Sequence, residues 1–112
     1  MVEATAVEKI GRITHNCVGI YDDKCIVSFK KNLQLAKSVA PKKSSFGIQL
    51  AHVGRKASTQ RPWEGRSVLK KEEKPWKTIF PSPTPFQETW PDPQEIKLSI
   101  IERVNKQFIS AS

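Results

Sequence analysis

Soft-metal and thiol chemistry is thinly provided for in this 112-residue chain, which carries two cysteines and two histidines. Cys17 and Cys25 do not form a C-x-x-C pair, and no combination with His15 or His52 has a spacing that metal sites use. Free thiols in a reducing compartment are expected, and no metal centre. Long apolar runs are missing as well. No stretch approaches the roughly 18 apolar residues that a membrane-spanning helix needs. The first residues lack the basic and apolar regions of a secretion signal, so the expectation is a cytoplasmic protein. Acidic residues are scarce, 11 against 19 basic, which leaves a formal charge of +8.

That surplus is the usual footprint of a polyanion binder. Much of it lies between Gly54 and Lys77, where eight basic residues face Glu64, Glu72 and Glu73. Trp63 and Trp76 are interleaved with the charges, a mixture that binds single-stranded nucleic acid by stacking and charge together. A solvated loop accounts for the same residues. No nucleic-acid fold signature accompanies them, so nucleic acid is not the expected partner. The length suits one small domain.

The most informative stretch runs from Ser45 to Lys56. Phe46, Ile48 and Leu50 alternate with Gly47, Gln49 and Ala51, which predicts a strand over 45–52 with one large apolar face. The other face is small except for Gln49. Its amide offers an acceptor and a donor on one planar group, able to read a ligand edge with the complementary pair. A buried glutamine bonded to neighbouring backbone is the alternative. The strand leads into a basic loop, Gly54-Arg55-Lys56.

Val2 to Val7, β-branched at Val2, Thr5 and Val7, reads as a second strand. Glu8 to Tyr21 reads as a loop. A helix over 23–40 follows, with Ile26, Phe29, Leu33 and Ala36 at helical intervals. Asp22 or Asp23 supplies an N-cap, and Pro41 ends the helix by disfavouring helical geometry before it. Residues 57–91 contain six prolines among polar and aromatic residues, which predicts an irregular connection. A connection of that length must pack on something to belong to a compact domain. A last helix over 98–111 shows an apolar stripe of Ile101, Val104, Phe108 and Ile109. It starts beside Lys97, a cation poorly placed at a helix N-terminus.

Gly47-Ile48-Gln49-Leu50-Ala51-His52-Val53-Gly54-Arg55-Lys56-Ala57 resembles the third strand and following loop of the Old Yellow Enzyme family, in its bacterial- and fungal-type subclass. Val2-Glu3-Ala4-Thr5-Ala6-Val7, Gly11-Arg12-Ile13-Thr14 and Pro81-Ser82-Pro83-Thr84-Pro85-Phe86 resemble further segments in the family's order. Pro41 to Ser45 departs from it as a small surface insertion. The resemblance implies an α/β fold, a fragment of a TIM (β/α)8 barrel running from strand two to helix three with a long insert. It implies an FMN-dependent NAD(P)H oxidoreductase that passes hydride through the flavin to an α,β-unsaturated carbonyl compound. Gln49 matches the residue that bonds the flavin's pyrimidine edge, and Ala4 the small residue whose backbone approaches the ring. The family's substrate-holding histidine pair and its phosphate site have no counterpart here, so no catalytic residue is assigned. His52 does not match that pair. Two other readings remain: a non-catalytic remnant that associates through exposed strand edges, and an independent basic binding module.

Overall fold

The computed structural model describes residues 1–112, and its organising feature is a pair of parallel strands. β1 (Val2–Ala6) lies beside β2 (Ile48–Ala51) in the register Val2–Ile48, Ala4–Gln49, Thr5–Leu50 and Ala6–Ala51, with an irregularity at Glu3. Two parallel strands cannot be joined by a tight turn and need a crossover. α1 (Asp23–Val39) supplies it. The Asp22 carboxylate accepts hydrogen bonds from the backbone N–H groups of Lys24 (2.8 Å) and Cys25 (3.1 Å), satisfying two donors that the first turn leaves free. At the other end Ala40 is extended, with φ −79° and ψ 150°, the geometry a residue before proline prefers.

The edge of β1 away from β2 is partly closed. The Ala6 N–H donates to Val18 O at 2.9 Å and the Ile20 N–H donates to Ala6 O at 2.9 Å, so the returning loop pairs where an open edge was expected. β2 has β1 as its one strand neighbour.

The segment 57–91 is more ordered than its prolines imply. It contains single 3-10 turns at Pro62–Glu64 and Lys71–Glu73, and β3 (Ile79–Phe80), which pairs in parallel with β4 (Gln94–Glu95). It also holds most of what the chain buries. Thirteen residues are buried in all, and Ala57, Ser58, Thr59, Gln60, Leu69, Thr78 and Ile79 are among them. The connection folds back on the first loop through long-range bonds. Thr59 N–H and Oγ1 both donate to Ile13 O (2.9 and 3.1 Å), and the Trp76 indole donates to Ile10 O at 2.9 Å.

The helices are peripheral. Neither α1 nor α2 (Leu98–Ala111) buries a residue. On α1 the half-buried positions are Cys25, Phe29, Leu33 and Ala36, whereas Ile26, expected on that face, is exposed. On α2 Val104 and Phe108 are half-buried, but Ile101 and Ile109 of the expected stripe are exposed, and Lys97 gives no side-chain cap. The radius of gyration is 15.9 Å, against about 13 Å for a compact domain of this length.

Candidate functional site

The strand register decides which side chains can act together. Side chains alternate along a strand, so Ala4 and Ala6 share one face with their partners Gln49 and Ala51. The Ala4–Gln49 rung therefore presents one amide and one methyl side by side. Gln49 is exposed, which removes the alternative of an amide buried against backbone. Ala4 is half-buried. Towards the next rung the sheet is covered, since Gly11, Arg12, Ile13 and Cys17 stand against Ala4, Ala6 and Ala51 and leave a hollow of about 10 Å³. That space holds at most one water.

A charge network holds the loops at the ends of the strands. Glu8 accepts from His52 Nε2 at 3.2 Å through one carboxylate oxygen and from Arg103 Nε at 2.9 Å through the other. The Gly54 N–H donates to His52 Nδ1 at 3.3 Å. With Nδ1 accepting, the ring proton sits on Nε2 and points at Glu8. His52 is thus occupied in tying β2's exit loop to β1's exit loop and to α2. It is a structural histidine. The close approach depends on Gly11, where an added Cβ would lie 2.7 Å from His52 Cδ2.

Glu8 carries no local signal in the sequence, being a single carboxylate in a loop. Trp76 and Trp63, both interleaved with the basic residues, have different surroundings in the structure. The Trp76 indole is bonded to Ile10, packs edge-on to His15 at 5.0 Å and has the Arg12 guanidinium 5.1 Å from its centroid, whereas Trp63 is 76% exposed. A strand of nucleic acid loses the second of its two expected platforms.

Two side chains beside α1 have shifted ionisation. Burial raises the Tyr21 phenol above its ordinary value, with a smaller opposing effect from Arg12. The Cys25 N–H first, then that of Lys24, hold the Asp22 carboxyl below its ordinary value. No group of three His, Cys, Asp or Glu side chains is arranged to hold a metal ion. No helix is long and apolar enough to cross a membrane.

Two neighbouring parallel strands joined by a helix, with small side chains and one free amide at a shared rung, define a small α/β unit. Comparison with known proteins gives it a family. The chain is 38% identical over its whole length to an NADH:flavin oxidoreductase of Gibberella zeae, of which it spans 27%. It is 35% identical over 96% of its length to an NADPH dehydrogenase of Geobacillus thermodenitrificans, of which it spans 26%. An NADPH dehydrogenase of Bacillus subtilis is 47% identical across 54% of the chain. No protein-family model matches. The chain is a segment of an Old Yellow Enzyme-type protein, spanning about a quarter of the length of the curated relatives it matches.

Proposed function

We propose that this chain is the strand-two to helix-three segment of a (β/α)8-barrel, FMN-dependent NAD(P)H oxidoreductase of the cytoplasm, and that it contributes one edge of the flavin site. The observation that carries the reading is the Ala4–Gln49 rung, which brings the two residues expected at the flavin into register on adjacent strands. The residues suit the group. Gln49 keeps its amide exposed, able to donate to a ring carbonyl and accept from a ring N–H at once. Ala4 presents only a methyl, so a planar ring can approach the backbone of β1.

When bound, FMN supplies the hydride chemistry that couples NAD(P)H to an α,β-unsaturated carbonyl compound. The chain's own part is to hold and orient. Gln49 would hold the ring edge through its amide, and the Glu8–His52–Gly54 contacts tie down β2's exit loop beside it. No side chain here is assigned a proton or hydride transfer, and His52 has both ring nitrogens engaged. The remainder of a barrel would cover the apolar residues that α1 and α2 leave exposed, and would give β2 its second neighbour.

The test is a chimera. Residues 1–112 replace the matching stretch of the Geobacillus thermodenitrificans NADPH dehydrogenase, and the purified protein is assayed for flavin and for NADPH-dependent reduction of a cyclic enone. A yellow, active chimera is expected. A folded chimera that binds no flavin would show that this segment does not belong at a flavin site.

A further inference from the structure

His52 does more than join two loops, because the protons it carries decide which of its bonds can exist. Its Nδ1 accepts from the Gly54 N–H at 3.3 Å, and its Nε2 donates to Glu8 at 3.2 Å. That pair of bonds needs a neutral ring. A protonated imidazole has two donors and no acceptor. Its second proton, on Nδ1, would face the Gly54 N–H, donor against donor, while the bond to Glu8 becomes an ion pair and tightens.

The ring is poorly placed to relieve that conflict by moving. Its side chain is 9% exposed, Glu8 pins one nitrogen, and a Cβ at Gly11 would lie 2.7 Å from Cδ2. The turn after it, Gly54–Lys56, is the movable side. Val53 is fixed by its N–H to Gly11 O at 3.0 Å, and Ala57 is buried. Between them Gly54 sits in the left-handed region at φ 66°, which glycine enters and leaves without steric cost. The turn is closed by the Ala57 N–H, which donates to Gly54 O at 3.1 Å.

This turn also holds a strap. The Arg55 guanidinium lies 4.3 Å from the Phe80 centroid and donates to Thr84 O at 3.3 Å, and Lys56 Nζ stands 4.8 Å from the Phe86 centroid. Residues 80–86 are thus tied to β2's exit by two consecutive side chains. The other charged groups around the ring do not compete for it. Glu8 is the carboxylate that faces it, shared with Arg103 of α2 at 2.9 Å. Lys9 is exposed, as are Glu102 and Lys106 on α2, and Arg12 donates to the Lys9 and His15 carbonyls. His15, the other histidine, donates from Nε2 to Glu73 O at 2.8 Å, a bond that survives protonation.

We propose that His52 is a pH-sensitive latch on the Gly54–Lys56 turn. Neutral, it holds the turn and, through Arg55 and Lys56, the 80–86 segment. Protonated, it keeps Glu8 and releases both. The inference goes beyond the flavin reading and does not depend on it.

The experiment is nuclear magnetic resonance of the isotope-labelled full chain between about pH 8 and about pH 5, the range in which histidine ordinarily changes charge. Exchange protection, corrected for the intrinsic pH dependence, should fall about tenfold at Gly54 and Ala57, as the loss of one hydrogen bond requires. Val53 should keep its protection. The Gly54 amide and the 80–86 backbone resonances should shift with the His52 ring and not with the His15 ring. His52→Asn sets an amide oxygen near the place of Nδ1 and cannot gain a proton, so its turn should stay protected throughout. His52→Gln can reach Glu8 but offers Gly54 no acceptor, so its turn should exchange fast at both ends of the range. Circular dichroism checks that each variant is folded. A parent turn equally protected at both ends overturns the proposal, and needs no variant to do so. So does an acid step that persists in His52→Asn, or one that follows His15. No flavin is present in these measurements, so their failure leaves the flavin reading standing.

Discussion

Gln49 and Ala4 face each other across a parallel strand pair, one carrying a free amide and the other nothing beyond a methyl. The residues lie 45 positions apart, and α1 is what brings them together. Anything that loosens the crossover therefore acts on the rung.

Asp22 has its carboxyl held below the ordinary value by the N–H groups of Cys25 and Lys24. A depressed folded-state value means the cap contributes fully above the unfolded aspartate value of about 3.9, and that its contribution is lost as pH falls through the lower folded value. Far-UV circular dichroism of α1 should be flat from neutral pH to about 5 and decline below about 4. Asp22→Ala should show less helix at neutral pH and lose this acid step. A variant with the parent's acid profile would assign the step to another carboxylate.

Glu8 joins three elements through one carboxylate, and its side chain is 17% exposed. Glu8→Gln removes the charge that Arg103 meets and should cost about 1–2 kcal/mol, discounted for the half-exposed guanidinium. Hydrogen exchange across Leu98–Ala111 should accelerate while that of α1 does not. Gly11→Ala should have a similar effect from the other side, because the new Cβ meets the His52 ring. Unchanged exchange in α2 would mean that the Arg103 contact does not anchor it.

The two tryptophans of the basic segment should behave oppositely. Trp76→Phe deletes the bond to Ile10 and leaves a carbonyl without its donor, costing about 1–2 kcal/mol. Trp63→Ala should change stability by about 0.5 kcal/mol or less, as expected for an exposed side chain. Chemical denaturation of the pair decides it. A larger loss in Trp63→Ala would contradict the way the 57–91 segment is packed here.

What could be read from sequence was local. The Asp22 cap and the Pro41 stop are each set by a neighbouring residue or two, and the alternation around Gln49 marks its own face. The segment 57–91 escaped because its order comes from distant backbone groups: Trp76 reaches Ile10, and Thr59 reaches Ile13. Prolines forbid many conformations but say nothing about such partners. Ser58 adds a backbone turn at φ 62° that no residue type announced. The Glu8 network was hidden for the same reason, since its three members come from separate stretches of the chain. Helix periodicity marked Phe29 and Leu33 well but overstated Ile26, because nothing in this chain covers that side of α1.

The central claim is that Gln49 reads the edge of a flavin. The most direct measurement is FMN affinity in the chimera that carries residues 1–112 within a full-length relative, compared with its Gln49→Leu variant. Leucine keeps the bulk and removes the amide, leaving the ligand's donor and acceptor unpaired at about 1–3 kcal/mol. The account predicts a folded protein whose FMN dissociation constant rises about 5- to 150-fold. A Gln49→Leu chimera that retains FMN as tightly as its parent would contradict it.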